Sequence, residues 1–456
     1  MDGVTLNRYF GKATLLTVGI TVVLVLVFGC TSQPVQHKEV ELYHWADFPV
    51  EAPGAAHGIE EWDVEGTCTW VHEDSDAERT SLVWYSGSDE TYVYRFGASL
   101  QGRWTCITDS PVDALNNLKL SVDVGPSSNP HRSGWSGQIP ERPTAWARQK
   151  SPDGELVTRT PILVMMPDVH SWYDNLDSLQ SFIAEFNENH GFNGGNIATI
   201  GTAWFEAGPR SDMSEVPASP AVETFEALEA AASEWSERGG WLHLWMWGKR
   251  QDFNELPDGY DGEYSQRINR YIAARLGPVP GWSMGIGWDV EFWVNRTSLK
   301  WWLDDIIPQL GGWHHWIGHR YSDSDIGKGI DPEPANKGQY LSRGIEWSTL
   351  RPGNEQYTGW EHWRTKTSDS DIDAGLEAIP DRPMMSEDRF RGRANRWPQK
   401  DLLSDEEILE EIPRWASRGV GAIYGRMFDD GKVIWPNKAE IKELILSIDE
   451  DPNIIE

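Results

Sequence analysis

An alternation of apolar strands and amphipathic helices begins at residue 161, and it limits the possible folds more than any other feature of the chain. Eight strands are predicted, at 161–166, 196–202, 241–246, 282–288, 314–319, 344–348, 382–386 and 419–424. A helix follows each strand, at 174–190, 220–238, 264–276, 296–309, 334–342, 369–379, 404–418 and 437–448. Apolar residues recur at helical spacing in these segments, most clearly over 221–235. Eight consecutive strand–helix units predict an α/β fold, a (β/α)8 TIM barrel over residues 161–456.

Residues 41–125 have a different pattern, with short aromatic and β-branched segments separated by turn residues. Strands are predicted at 67–71, 81–85, 91–96 and 102–107, which together indicate a small β-sandwich. Cys68, Trp84 and Cys106 follow the Cys–Trp–Cys order of immunoglobulin-like domains. The two cysteines either form a disulfide or remain as buried free thiols.

Residues 126–160 connect these two parts. The stretch 126–135 is rich in Pro, Ser and Gly, which is typical of a linker. Residues 135–160 predict a β-hairpin that turns at Asp153 and Gly154. We expect this hairpin to cover the bottom of the barrel.

The first 30 residues have the pattern of an export signal. Arg8 and Lys12 precede an apolar run over 13–29, which ends at Cys30. This pattern predicts a signal peptide over 1–30, with a short polar tether following it over 31–40. A single membrane-spanning anchor is the alternative, although the run is rather short for one.

Residues 27–30 (VFGC) resemble a bacterial lipobox, in which the cysteine becomes the lipidated first residue. Phe28 departs from the small residue usually found at its position. The resemblance implies a lipid anchor through Cys30 at the outer membrane or cell surface. The protein is therefore expected to be an exported, membrane-anchored lipoprotein at the cell surface or in the periplasm.

The net charge of −31 limits the possible partners. It excludes nucleic acid, because binding to phosphates requires a positive surface. It also disfavours non-specific adhesion to anionic membranes. Its simplest interpretation is solubility.

Tryptophan is unusually frequent, with 26 residues. An indole ring offers a flat apolar platform for a sugar and keeps a polar N–H at its edge. A tryptophan-rich core is the alternative. Several of the tryptophans fall where loops are predicted, which favours a binding cleft: Trp204, Trp313, Trp316, Trp347, Trp360 and Trp363.

The active site of a (β/α)8 barrel lies at the carboxyl ends of its strands. The side chains expected there as substrate contacts are Asp168, His170, Trp204, Trp247, Trp288, His319, Arg320, Trp347 and Arg426. Asp289 follows predicted strand 4, and Glu387 follows predicted strand 7. Glycoside hydrolysis needs two carboxyl groups that converge on one bond, so this pair predicts a glycosidase that uses no cofactor.

Several segments resemble parts of bacterial glycoside hydrolases. Residues 92–96 (YVYRF) and 102–106 (GRWTC) resemble the immunoglobulin-like module that precedes many of their barrels. Residues 134–148 and 151–155 resemble the hairpin that leads into those barrels. The barrel itself is similar to glycoside hydrolase clan A.

Two motifs carry the similarity to clan A. Residues 275–289 (RLGPVPGWSMGIGWD) resemble strand 4, where the clan's acid/base is the Glu of an Asn-Glu pair. Residues 382–387 (RPMMSE) resemble strand 7, which ends in the nucleophilic Glu. The resemblance implies that Glu387 is the nucleophile and that hydrolysis proceeds with retention of configuration.

The sequence departs from the clan at strand 4. Trp288 replaces the Asn that would bind the sugar 2-hydroxyl, and Asp289 replaces the Glu. Asp289 is therefore the favoured proton donor, Glu291 is the second candidate, and loss of acid catalysis is the third possibility.

Arginines are concentrated directly after Glu387, in residues 389–396 (RFRGRANR). Arg binds carboxylate and sulfate through a bidentate fork. Arg389, Arg391 and Arg393 therefore indicate a subsite for a sulfated or uronic sugar, unless they pair with local acids such as Asp388 and Asp401. His314, His315 and His319 lack a metal-binding spacing, so no metal is expected.

The sequence thus predicts a hydrolase of an anionic polysaccharide. A surface-anchored protein that binds glycans without cleaving them is the alternative from another class. A polysaccharide lyase is a weaker alternative, because no Tyr, His or Lys base stands out at the strand ends.

Overall fold

The computed structural model describes residues 35–150, 154–197, 200–205, 212–247, 256–287, 296–318, 340–341, 369, 373, 376–377, 382–390, 405–424 and 438–450. No helix within these residues is long and apolar enough to span a membrane. The predicted signal peptide, including Cys30, lies outside the described residues.

The N-terminal module is a seven-stranded sheet that folds over on itself. Its strands are β1 (Gln36–Glu41), β2 (Trp45–Glu51), β3 (Thr67–His72), β4 (Glu78–Tyr85), β5 (Thr91–Gly97), β6 (Gly102–Asp109) and β7 (Lys119–Gly125), in the order β1-β7-β6-β3-β4-β5-β2. Residues 78–82 of β4 pair with β3, whereas residues 83–85 pair with β5. Strand β4 therefore joins two layers. Residues 36–40 were expected to belong to the tether, but they form β1, which pairs with β7 in parallel.

Aromatic side chains from both layers meet in the core of this module. The ring of Trp70 lies 5.5 Å from that of Phe48 and 4.8 Å from that of Phe96. A disulfide joins Cys68 of β3 to Cys106 of β6, with 5.8 Å between their Cα atoms. The two cysteines therefore form a disulfide and are not the buried free thiols that the sequence also allowed. The immunoglobulin-like class of the module remains a prediction.

Trp84 does not take the place that the Cys–Trp–Cys order suggests. It belongs to the hydrophobic cluster of the barrel, whereas the disulfide belongs to the cluster inside the module. Trp70, which directly follows the Cys-Thr pair of β3, packs in the disulfide cluster instead. Because β4 changes partners at residue 83, its last residues lie against the barrel.

A three-stranded antiparallel sheet follows, made of β8 (Ser133–Ile139), β9 (Arg142–Lys150) and β10 (Glu155–Thr158), in the order β10-β9-β8. The predicted hairpin corresponds to β9 and β10. Strand β8 and its turn into β9 were not predicted as a separate hairpin.

The eight remaining strands form one parallel sheet. They are β11 (Ile162–Met166), β12 (Gly194–Ile197), β13 (Trp241–Trp247), β14 (Trp282–Gly287), β15 (Ile317–Gly318), β16 (Tyr340–Leu341), β17 (Met385–Phe390) and β18 (Gly421–Tyr424). Their order is β16-β15-β14-β13-β12-β11-β18-β17, so the first strand pairs with the last, as in a barrel. This order agrees with the predicted sequence of eight units.

Two of these strands differ clearly from the prediction. Strand β16 lies within the predicted helix 334–342, and the predicted strand 344–348 falls outside the described residues. A two-residue strand is too short to show a periodicity, which explains this error. Strand β17 begins three residues later than predicted and extends through the charged residues after Ser386.

Helices connect the strands. They are α1 (Leu176–Ala184), α2 (Val222–Glu237), α3 (Glu263–Leu276), α4 (Arg296–Gln309), α5 (Asp405–Ala416) and α6 (Lys438–Glu450). Helix α1 begins where the side chain of Asn175 accepts a hydrogen bond from the Ser178 N–H, which satisfies one of the free amides of the first turn. A π-helical turn, Glu185–Asn189, continues α1.

Trp146 of β9 closes the amino-terminal end of the barrel. Its ring lies 5.5 Å from that of Trp241 and 6.4 Å from that of Trp316. Its Nε1 donates to the Met384 carbonyl at 2.7 Å, so the buried indole N–H is satisfied. Trp245 belongs to the same buried cluster. The three-stranded sheet therefore packs at the bottom of the barrel, where the hairpin was expected.

A buried ionic cluster joins the N-terminal module to the barrel. The guanidinium of Arg95, which is 2% exposed, donates to Asp47 Oδ1 at 2.6 Å and to Glu229 Oε1 of α2 at 2.7 Å. Arg275 of α3 donates to the same Glu229 oxygen at 2.5 Å. The ring of Trp84 lies 5.4 Å from the Arg95 guanidinium and 4.7 Å from that of Arg275. These residues form the Arg95 cluster.

In the Arg95 cluster, the nearby carboxylates raise the pKa of the arginines more than burial lowers it. Burial acts to lower the pKa of Arg95, but the negative charges of Glu229 and Asp47 raise this pKa above its usual value. The pKa of Arg275 is raised in the same way, because Glu229 opposes the effect of burial. Both guanidinium groups are therefore held in their charged form.

Further hydrogen bonds extend this contact between module and barrel. Arg267 binds both carboxylate oxygens of Asp63, at 2.9 and 2.6 Å. The indole of Trp313 donates to the Gly97 carbonyl at 3.1 Å, and the hydroxyl of Tyr271 donates to the Tyr85 carbonyl at 2.9 Å. Residues from Val35 onward accordingly form one compact unit.

Replacing Arg95 by Met should lower the free energy of unfolding by about 3–5 kcal/mol, because it removes the buried cation and leaves the partly buried carboxylates of Asp47 and Glu229 without one partner. Urea denaturation followed by tryptophan fluorescence measures this change. Arg103→Met is the control, because Arg103 pairs with Asp123 at an exposed site, where solvent screens the ion pair, and should change stability far less. Equal losses for the two variants would contradict a stabilising role for the Arg95 cluster.

Candidate active site

Strand β14 leads directly to the predicted acid. Its last residue, Gly287, pairs with Trp247 at the end of β13, so the two strands reach the carboxyl edge of the sheet together. Trp288, Asp289 and Glu291 follow this edge in the sequence and lie outside the described residues. Their assignments as donor and substrate contacts remain predictions.

Strand β17 contains an irregularity around the predicted nucleophile. Ser386 pairs with Ala422 and Phe390 pairs with Tyr424, so four steps along β17 correspond to two steps along β18. Glu387 lies between these paired positions, inside the strand and not after its end as predicted. The sequence prediction ended the strand at its last uncharged residue, but the paired backbone continues through Phe390.

The sheet order fixes how far apart strands β14 and β17 lie. Four strands separate them in that order, namely β13, β12, β11 and β18. In a closed eight-stranded barrel, the other path between them contains β15 and β16. Residues at the carboxyl ends of β14 and β17 therefore lie on different sides of the barrel mouth.

Asp168 and His170 follow β11, as predicted, and both are half-buried. A 3-10 turn, Val169–Trp172, contains His170, whose ring lies 5.2 Å from that of Tyr173. The hydroxyl of Tyr173 lies 2.5 Å from Thr224 Oγ1, which itself donates to the Ala203 carbonyl at 2.6 Å. Burial raises the pKa of Tyr173, and the bond to Thr224 opposes this rise only in part.

These contacts fix the loop after β11 against the start of α2 and the loop after β12. Tyr173 and Thr224 were not singled out in the sequence, because an isolated Tyr or Thr has no pattern that indicates such a role. His170 is thus in ring contact with a residue that the sequence analysis missed.

Trp204 and Trp247 are fully buried, whereas the sequence analysis expected them to face a binding cleft. Trp204 donates from Nε1 to the Met246 carbonyl at 2.8 Å and packs 5.3 Å from the ring of Phe225. Trp247 stacks on Phe205, with ring centroids 6.4 Å apart. These side chains form the packed wall beneath the loops.

Trp313 and Trp316 are also buried, so none of these loop tryptophans that the structure describes is an exposed platform. Indeed, no tryptophan in the described ranges is exposed. The remaining tryptophans lie outside those ranges: Trp288, Trp293, Trp347, Trp360, Trp363, Trp397 and Trp435. All of these follow β14, β16, β17 or β18 in the sequence.

The remaining predicted contacts lie outside the described residues: His319, Arg320, Trp347, Arg391, Arg393 and Arg426. The acid Asp401 also lies outside them, and Asp388 is described only by its backbone in β17. Arg389 contributes its backbone to β17. The described residues also contain no group of three His, Cys, Asp or Glu side chains that could hold a metal ion.

A row of hydrogen-bonded polar side chains crosses strands β12, β13 and β14, and the sequence analysis missed it. Asn196 donates from Nδ2 to the His243 carbonyl at 3.1 Å, and His243 Nδ1 lies 2.9 Å from Ser283 Oγ. All three residues are almost completely buried. A polar residue inside an apolar strand was the available signal, since a buried polar side chain requires a partner.

The fold is that of a solved structure from Bacteroides vulgatus, a proposed glycoside hydrolase, to which the chain is similar with a TM-score of 0.64 and 15% identity. The match covers 91% of this chain and 79% of that one, so it includes residues before the barrel. A β-glucanase from Saccharophagus degradans matches with a TM-score of 0.46 and 15% identity, over 69% of this chain and 94% of that one. The sequence matches no family model and no curated protein. At this identity the similarity to the Bacteroides vulgatus structure shows the fold alone.

Replacing Trp204 by Phe should lower the free energy of unfolding by about 1–3 kcal/mol, because the Met246 carbonyl loses its donor and a cavity forms. Retention of the protein on polysaccharide-containing gels should not change. Trp301→Phe is the control, because Trp301 is only half-buried and should contribute less to stability. Weaker retention of the Trp204 variant without loss of stability would instead show that Trp204 contacts the polysaccharide.

Proposed function

We propose that this protein is a glycoside hydrolase that cleaves an anionic polysaccharide with retention of configuration. The observation that carries the proposal is the irregular pairing of β17 at Glu387, in a barrel with the fold of a proposed glycoside hydrolase. Bulges are frequent beside active sites, where they re-aim a side chain. The end of β14 two residues before Asp289 supports the second carboxyl group.

In the proposed mechanism, Glu387 attacks the anomeric carbon and forms a covalent glycosyl ester. Asp289 gives its proton to the departing glycosidic oxygen. Asp289 then takes a proton from water, the resulting hydroxide attacks the same carbon, and Glu387 is released as a carboxylate. Retaining enzymes hold the two carboxyl groups roughly 5–5.5 Å apart, so that both reach one sugar ring.

The pair Trp288-Asp289 lacks two features that the Asn-Glu pair of clan A supplies to this mechanism. The indole of Trp288 can donate a hydrogen bond but cannot accept one, unlike the Asn that it replaces. Asp289 has a side chain one methylene shorter than Glu and reaches less far into the cleft. Glu291 is the second candidate for the donor for this reason.

The arginines after β17 support an anionic substrate. Arg391 and Arg393 follow the strand that contains Glu387, in a chain whose net charge is −31. Such a chain repels a sulfated or uronic polymer over long distances, so binding requires a local positive subsite. Charge-assisted hydrogen bonds contribute about 1.5–3 kcal/mol each when they are shielded from water.

The location is part of the proposal. The apolar run over 13–29 and Cys30 support export and lipid anchoring at the cell surface or in the periplasm. A polysaccharide too large to enter the cell is accessible to an enzyme in either place.

The change from Asn-Glu to Trp288-Asp289 favours one second candidate, a surface-anchored protein that binds a glycan without cleaving it. Both candidates predict binding to a polysaccharide, but only the first predicts new reducing ends. A panel of charged and neutral polysaccharides, assayed for reducing ends, separates them.

Glu387→Ala should abolish hydrolysis while the protein remains folded, because the nucleophile is lost. Added azide should restore part of the turnover by attacking the anomeric carbon in its place. Product formation is followed by chromatography, and Glu410→Gln serves as the control because Glu410 is an exposed acid on helix α5, not on a strand of the barrel. Full activity of the folded Glu387 variant would remove this assignment.

Asp289→Asn should slow the cleavage of substrates with poor leaving groups far more than that of activated aryl glycosides, which depart with little protonation. The comparison of kcat/KM for the two substrate classes measures the effect. Glu291→Gln is the matched variant. If it shows this pattern and Asp289→Asn does not, Glu291 is the proton donor.

Arg391→Ala or Arg393→Ala should raise KM for the charged polymer by about tenfold or more, the loss of one charge-assisted contact. The KM for a desulfated or carboxyl-reduced polymer should change little. Arg103→Ala, at an exposed site of the N-terminal module, provides the control. Faster hydrolysis of a neutral glucan than of any charged polymer would refute the anionic substrate.

A further inference from the structure

A groove of about 830 Å³ lies where the three-stranded sheet meets the C-terminal helix, away from the predicted active site. Strand β10 contributes Leu156 and Val157 to its wall, β8 contributes Ile139, and α6 contributes Leu446 and Ile448. Leu446 is 43% exposed. The groove therefore offers an apolar surface next to the end of α6.

Among the described residues, the ionisable side chains that line this groove are all basic: His131, Arg148, Lys150 and Arg159. Arg148 and Arg159 also donate hydrogen bonds to the carbonyls of Gly240 and Gly239. This composition contrasts with the net charge of −31 for the whole chain. Two hydroxyl groups in the lining, Ser133 Oγ and Thr158 Oγ1, are buried without a hydrogen-bond partner, and Ser133 is only 2% exposed. A ligand for this groove must therefore combine negative charge, apolar groups and polar atoms that can bond hydroxyls.

The groove also includes the edge of a sheet. Strand β10 pairs with β9 on one side, and within the described residues no strand pairs with its other side. The backbone N–H and C=O groups on an open edge can bind an extended peptide. The wall of the groove thus suits an extended chain better than a helix or a compact small molecule.

The segment that follows α6 has the composition that this groove requires. Helix α6 ends at Glu450, and the residues 451–456 (DPNIIE) follow it. Pro452 disfavours helical backbone at Asp451, so the chain is expected to leave the helix in an extended conformation. Negative charges at 449–451 and 456 surround the apolar pair Ile454 and Ile455. An extended chain of six residues reaches about 20 Å.

We propose that the segment 451–456 binds in this groove, with a carboxylate group beside Lys150 and its isoleucines against Leu156 and Val157. Ile448, on the last turn of α6, already lines the groove, so the segment starts at the site. A short tether of this kind gives an effective concentration in the millimolar range. A free anionic glycan or peptide of similar affinity would have to exceed that concentration to displace it.

The bound segment would fasten the last helix to the sheet that closes the bottom of the barrel. Its role would be structural and independent of the proposed hydrolase activity. It would also cover the exposed Leu446 and the open edge of β10, which otherwise favours association between chains.

Hydrogen exchange tests this proposal on the full chain and on a variant that ends at Glu450. Removing residues 451–456 should accelerate exchange of the amides in β10 by about tenfold or more, since they lose a bound partner. The synthetic peptide DPNIIE, added to the shortened protein at millimolar concentration, should restore the slow exchange.

Charge reversal provides a second test that keeps the whole chain. Lys150→Glu should accelerate exchange in β10 in the same way, whereas Lys119→Glu, at an exposed site on β7, should have no effect there. Unchanged exchange in both the shortened chain and the Lys150 variant would overturn the proposal. It would also be overturned if a sulfated polysaccharide such as heparin slowed exchange in the shortened protein and the peptide did not, because the groove would then be a site for an external anion.

Discussion

The contact of Arg95 with Glu229 is the interaction on which the arrangement of the whole molecule depends. It places one buried guanidinium of the N-terminal module on a carboxylate of α2, which Arg275 of α3 also binds. Two cations share one anion beneath the ring of Trp84, and Asp47 balances the second positive charge. Such a cluster tolerates little displacement, because any shift leaves a buried charge without its partner. The module is thereby fixed to two helices of the barrel.

The sequence predicted the features of the fold that have a periodicity. The long strands β13 and β14 and helix α3 lie almost where their apolar spacing placed them. Strand β16 has two residues and no periodicity, and it was mistaken for part of a helix. The Arg95 cluster could not be predicted at all, since its partners are up to 180 residues apart and no local pattern connects them.

The tryptophans show why the candidate site was harder to predict than the fold. An indole can serve as a sugar platform or as a large core side chain, and its position in a loop does not distinguish the two. Trp204 and Trp146 each satisfy their N–H with a backbone carbonyl, which permits complete burial. Glu387 was identified from its motif, whereas the irregular pairing of β17 at this residue depends on β18, which lies about 35 residues later.

The separation of Arg95 from Glu229 by 134 residues has a consequence for biosynthesis. The chain is made from its N-terminus, so the seven-stranded sheet can assemble while α2 has not yet been synthesised. During that interval the guanidinium of Arg95 has only Asp47 from its own module as an ionic partner. Trp84 and its neighbours on β4 meanwhile present an apolar surface to water. We therefore expect the newly made module to be the stage at which a chaperone is most needed, until the first helices of the barrel cover it.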